Sequence, residues 1–152
     1  MIPVRLELYN FMPYRNPAPL NFAGIHVACL TGANGAGKSS LLDAITWALW
    51  GKARARREDE LIHLGQSEMR VIFDFAVDSN TYRLIRKRVK TKRSSMGTLD
   101  FLVRDGDEWR TLNEPSMRST QAKIERVLRL DYDTFINSAF LLQGRADEFT
   151  VK

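Results

Sequence analysis

Gly32-Ala33-Asn34-Gly35-Ala36-Gly37-Lys38-Ser39 satisfies the pattern G-x-x-x-x-G-K-[ST] at every fixed position. The glycines let consecutive backbone N–H groups turn inward around a polyphosphate, and a helix opening at the lysine points its positive end at the same place. In such a cradle Asn34, Gly35, Ala36 and Gly37 surround the phosphates, Lys38 reaches the β- and γ-phosphates, Ser39 offers a hydroxyl to Mg²⁺, and Ser40 completes the set. The chemistry implied is binding of a nucleotide with its metal ion. Hydrolysis asks for more: a carboxylate on a neighbouring strand for the Mg²⁺ shell, and a second to orient water. Asp74, after Val71-Ile72-Phe73, imitates the first but continues an alternating pattern, which predicts an exposed strand residue; Asp131 follows a run of helical period. Neither is part of an Asp-Glu pair, so the second half of the machinery is expected to be absent.

The surrounding pattern supplies the elements that must hold this loop. Val4 to Tyr9 alternates as a half-buried strand, and Leu20 to Phe22 returns beside it after a proline-rich turn. Ile25 to Thr31 reads as a strand buried on both faces of a mostly parallel sheet. Lys38 to Trp50 is a helix, with Leu41, Leu42, Ile45 and Leu49 at helical spacing and Gly51 as its stop. A short helix over Glu58 to His63 precedes three extended segments, 68–78, 80–90 and 98–104, joined by turns at Asp78-Ser79-Asn80 and near Ser94 to Gly97; a further strand covers Glu108 to Leu112. Ser116 or Ser119 caps a helix carrying Ile124, Val127 and Leu128, and Asp131 or Asp133 caps a second one through Asn137. The fold class is α/β of P-loop type, with an antiparallel meander beside the nucleotide-binding core.

Three stretches, residues 32 to 45, Leu8-Tyr9-Asn10-Phe11-Met12-Pro13-Tyr14, and Asp131-Tyr132-Asp133-Thr134-Phe135 leading to Phe140-Leu141-Leu142-Gln143-Gly144, together resemble the N-terminal half of the SbcC family. These are ABC/SMC-type ATPase subunits of the bacterial double-strand-break nuclease complex. The resemblance implies that residues 1–152 form the first half of an ATPase head, from P-loop to Q-loop, ending before a long coiled coil, with the C-terminal half of the head absent. It implies ATP and Mg²⁺ as ligands, with Lys38 and Gln143 catalytic and with Ser39 and Gln143 at the metal. Read alone, Gln143 is a polar residue ending a strand. The implied partners are the missing C-terminal half, a second head in a homodimer, an SbcD-type nuclease subunit and double-stranded DNA. Two other readings compete: a self-contained small P-loop NTPase using Asp74, and a DNA-binding module with a vestigial P-loop.

Charge adds a location to the DNA expectation. The net +5 is uneven: seven cations lie between Arg83 and Arg93 with no acid among them, and Lys52, Arg54, Arg56 and Arg57 form a second group. Without these eleven the remainder carries −6. Strand alternation puts Arg86, Arg88, Lys90 and Lys92 on one face and Arg83, Lys87 and Arg93 on the other, so 86–93 is expected to be an exposed ribbon contacting DNA through Arg86, Arg88, Lys90, Lys92 and Arg93, or else a solvated edge strand. The 52–57 group could contact DNA, place an arginine across a dimer, or solvate a loop. Composition, 44% apolar and 27% charged over 152 residues, is that of a globular domain. No run approaches a membrane span and no signal-peptide pattern is present, which predicts a cytoplasmic, nucleoid-associated protein without membrane contact. Cys29 reads as a core residue, and His26 and His63 as structural.

Overall fold

The computed structural model describes residues 1–22 and 38–137, with backbone only at 38 and 39. The expected buried strand at 25–31, the loop residues Gly32 to Gly37, Cys29, His26 and Gln143 lie outside the described residues. Six strands, β1 (Ile2–Tyr9), β2 (Leu20–Asn21), β3 (Glu68–Val77), β4 (Asn80–Lys90), β5 (Ser95–Asp105) and β6 (Glu108–Thr111), form one antiparallel sheet in the order β2-β1-β3-β4-β5-β6. Helices α1 (Lys38–Trp50) and α2 (Met117–Leu128) cover the face that carries Val71, Phe73, Leu84 and Phe101. On that face Phe73, Phe75, Tyr82 and Phe101 stack in series, with centroids 5.7, 5.6 and 5.4 Å apart, locking β3, β4 and β5 in register. No helix among the described residues is long and apolar enough to cross a membrane.

The bounds of α1 agree with the sequence reading, but its packing face differs. Ala44, Trp47, Ala48 and the expected Leu49 are fully buried, while Leu41, Leu42 and Ile45 are only half-buried. Two alanines among the buried residues allow close approach of the neighbouring elements. At its end Gly51 has φ +68°, donates to the carbonyl of Trp47 at 2.7 Å, and leaves room where a Cβ would stand 3.2 Å from Nη1 of Arg86.

Two expected elements are altered. The helix at 58–63 is a single 3-10 turn, Glu58–Leu61, because Ile62 is drawn into a bridge with Phe11. The β4–β5 connection is tighter than expected: Thr91 and Ser94 close it through main-chain and hydroxyl bonds, so β5 starts at Ser95 and Gly97 lies within it, opposite Arg88. For α2, Ser116 is the cap: its Oγ accepts from the N–H of Ser119 while the Ser119 hydroxyl accepts from the N–H of Ser116.

Arg86 corrects the exposed-ribbon reading. Only 6% exposed, it lies on the helix-covered face and donates through Nε and Nη2 to the carbonyl of Ala48 (3.2 and 3.1 Å) and through Nη2 to Oε1 of Gln121. Gln121 in turn donates to the carbonyl of Leu49 at 2.9 Å. These are terminal carbonyls of α1, which has no basic residue in its own last turn. A cation borrowed from β4 therefore satisfies the negative end of the helix. Burial lowers the guanidinium pKa to about 10, partly offset by the charge of Glu58, so it stays charged at neutral pH. Replacing Arg86 by Leu leaves these acceptors unsatisfied and is expected to destabilise the fold by about 2–4 kcal/mol in urea unfolding, with Arg86→Lys also destabilising because the planar fork is lost.

Candidate nucleotide site and its supports

The Gly-Lys-Ser end of the glycine-rich loop coincides with the start of α1: Lys38 and Ser39 are its first two residues, and Ser40 is buried in the first turn. No acidic residue occupies that turn, so the unpaired N–H groups and positive end of the helix are not already neutralised from within it. An anionic ligand fits this end. Asn34, Gly35, Ala36, Gly37 and Gln143 lie outside the described residues.

The N-terminal motif braces the back of this helix. Phe11 is fully buried with its ring 6.0 Å from that of Trp47. Asn10 and Met12 both take left-handed backbone conformations, φ 52° and 50°, so that the chain doubles back at Phe11. The loop is secured to the 58–63 segment by main-chain bonds from Met12 to Leu61 and from His63 to Asn10, each 2.7 Å, and by Nδ1 of His63 facing the Met12 carbonyl at 2.7 Å. With a carbonyl as partner, Nδ1 is the protonated nitrogen, and His63 is structural, as its sequence context implied.

Sequence reasoning passed over Asp43, whose burial in an apolar helix could have flagged a need for a partner. The partner is Arg54: Oδ1 accepts from the Arg54 main-chain N–H and Nε (3.3 and 3.1 Å), and Oδ2 from Nη2 (3.0 Å). The hydrogen bond to Asp43 raises the Arg54 pKa. Arg54 is thereby committed to folding the loop after α1, which settles one of the four cations at 52–57. Lys52 sits 5.9 Å over the ring of Tyr132 and Arg57 pairs loosely with Glu60 at 3.8 Å, whereas Arg56 is exposed with no partner among the described residues. The 130–137 segment docks on the same end of α1, with Nε1 of Trp50 donating to the Leu130 carbonyl at 3.1 Å and the Trp50 ring against Tyr132 and Phe135. Asp131 is the cap of the short helical segment at 132–137, its Oδ1 accepting from the N–H of Thr134 at 2.7 Å.

Arg88 also departs from expectation. It is 22% exposed and paired, donating through Nη1 to Glu58 and through Nε to Oδ1 of Asp59 at 2.7 Å. Asp59 Oδ2 further accepts from the Ser95 hydroxyl at 2.7 Å. The bonds from Arg88 and Ser95 hold the Asp59 carboxyl below its usual value of 3.8, so the contact stabilises the fold above that pH and is lost as pH falls through the lowered pKa. Lys87, Lys90, Lys92 and Arg93 remain exposed.

Asp74 is not the exposed residue expected. It is 4% exposed, with Oδ1 and Oδ2 accepting from Nε and Nη2 of Arg83 at 2.7 and 2.8 Å, and that guanidinium lies 4.3 Å over Trp109. It occupies the sheet face opposite α1, since its neighbours Phe73 and Phe75 face the helices. Its carboxylate is engaged by Arg83 on the face away from α1, which counts against the self-contained NTPase reading built on Asp74. Asp74→Asn is accordingly expected to leave nucleotide affinity unchanged while lowering unfolding free energy by about 1–3 kcal/mol, measured by nucleotide titration and urea unfolding.

The AAA domain family matches residues 5–152. Among curated proteins the chain is similar to the SbcC subunit of the SbcCD nuclease of Deinococcus radiodurans, 38% identical over 95% of this chain, and to the DNA double-strand break repair Rad50 ATPase of Thermoplasma volcanium, 32% identical over 100% of it. The chain spans 16% of the length of each. Its fold is similar to that of a solved structure from work on ATP-driven dimerization and DNA-stimulated activation of SMC ATPases, with a TM-score of 0.63, 24% identity, and 89% of this chain and 84% of that one covered. With a helix opening on Lys38-Ser39, an antiparallel sheet behind it, and a family match over nearly its whole length, the chain belongs to the AAA domain family.

Proposed function

We propose that this chain is the ATP-binding N-terminal half of an SbcC-like ATPase head, which works with a C-terminal half, a second head and an SbcD-type nuclease subunit to bind and process DNA ends in double-strand break repair. The observation that carries this reading is the Gly-Lys-Ser sequence opening α1, a helix braced at its back by Phe11 and at its far end by Arg86. Similarity to SbcC and Rad50 ATPases along this length supports it.

In this reading Lys38 binds the β- and γ-phosphates, Ser39 holds the metal, Asn34 to Gly37 and Ser40 line the cradle, and Gln143 contacts the metal shell and orients water. Bound Mg²⁺ supplies charge neutralisation between the phosphates. Asp43 and Arg54 keep the exit of α1 fixed while its entrance is loaded. ATP is sandwiched against the signature motif of a second head, so nucleotide binding shifts the heads toward the joined state. Neither Asp74 nor Asp131 precedes a glutamate, and in this reading the water-orienting carboxylates come from the C-terminal half. The exposed cations Lys90, Lys92 and Arg93 at the β4–β5 hairpin contact the duplex backbone without reading sequence. The protein acts in the cytoplasm, at the nucleoid.

ATP turnover by residues 1–152 alone is expected to stay at background and to appear when the C-terminal half of the head is supplied, with Lys38→Ala lowering it about 100-fold or more. Robust Lys38-dependent turnover by the isolated chain would sink the reading. Neutralising Lys90, Lys92 and Arg93 together should flatten the slope of log K for duplex DNA against log salt by about 3.

A further inference from the structure

Arg88, two residues before Lys90 at the end of β4, is neither free nor buried. It is 22% exposed, and the acids that hold it, Glu58 and Asp59, are themselves one-third exposed. Both belong to the 3-10 turn that follows the P-loop helix and its exit loop. Arg88 therefore sits between two neighbourhoods. On one side are Lys90, Lys92 and Arg93, exposed and in no ion pair among the described residues. On the other is a turn whose next residues anchor the Met12 loop, through Leu61 to Met12 and His63 to Asn10, and that loop carries Phe11 against Trp47 of α1.

Two carboxylates presented to one guanidinium fork are the chemical equivalent of a phosphodiester presented to it, since both offer anionic oxygens to parallel N–H donors. We infer that Glu58 and Asp59 are an internal substitute for backbone phosphate, and that a nucleic-acid phosphate arriving at the β4–β5 hairpin competes with them for Arg88. Capture of Arg88 removes one bond from each acid and leaves Asp59 held by Ser95 alone. The 58–63 turn then keeps only the Ser95 bond of this cluster as a tie to the sheet, and the loop that braces α1 loses part of its support. Arg88 is thus a positioning residue, through which occupation of the hairpin loosens the segment behind the nucleotide site. The inference rests on the proposed DNA contact at the hairpin and adds to it a route toward α1.

The test uses the intact ATPase with short duplex DNA and a double-mutant cycle. Glu58→Gln with Asp59→Asn is expected to raise DNA affinity several-fold and to steepen the salt slope by about 1, and both gains should vanish when Arg88→Gln is added. If the gain survives Arg88→Gln, the acids act only by long-range repulsion and the inference is overturned. As an independent readout, saturating DNA should speed amide exchange at Leu61, Ile62 and His63 in the unmodified protein and not in Arg88→Gln; unchanged exchange with DNA bound also overturns it. Loss of the hairpin contact itself is recognised separately: neutralising Lys90, Lys92 and Arg93 would then leave DNA affinity unaltered, and the inference falls together with that part of the proposed function.

Discussion

The structure turns on the buried guanidinium of Arg86. A helix that ends inside a core exposes carbonyls that water cannot reach, and α1 brings no cation of its own to its last turn. Arg86 from β4 and Gln121 from α2 close those carbonyls, so a single network joins P-loop helix, sheet and second helix. Desolvating an arginine is costly, and that cost is offset only while all its acceptors are in place. The consequence reaches the opposite end of α1. With its negative end neutralised inside the protein, the helix has no acidic residue at its opposite, positive end.

The same strand illustrates how charge is consumed by folding. Arg83, Arg86 and Arg88 have no acid near them in sequence, yet each meets a partner in space: Asp74, the α1 carbonyls, and Glu58 with Asp59. The basic run and the acidic remainder are in part the same interaction seen from its two ends. What is left for solvent or a polyanion is Lys87 within β4, and Lys90, Lys92 and Arg93 at and beyond its end. Lysines there also fit the ordinary need to keep a hairpin from pairing edge to edge.

The supports of α1 are arranged around aromatic contacts with little freedom. Phe11 meets Trp47 in its last turn, and Trp50 meets Tyr132 and Phe135 at its end. Residues far apart in sequence, the N-terminal motif and the segment leading toward Gln143, thereby meet one helix. Two left-handed residues, Asn10 and Met12, are the strain accepted to turn Phe11 inward.

Local regularity is what the sequence alone determined. The helix from Lys38 to Trp50, the strands from Glu68 to Lys90, the Gly51 stop and the Ser116 cap follow from periodicity and from backbone rules that act over a few residues. The glycine-rich pattern was legible for the same reason, because a loop of that kind is built from consecutive residues. Tertiary structure alone decided which charges are spent. Alternation put Arg86 and Arg88 on one face, but only the placement of α1 over that face made the first a helix cap and the second a partner of Glu58 and Asp59. Asp74 and Asp43 were equally undecided, since the fate of a carboxylate depends on a partner 9 or 11 residues away and on which side of the sheet the helices lie. Electrostatics and burial depend on distance in space, and one-dimensional patterns carry that distance only within a single element.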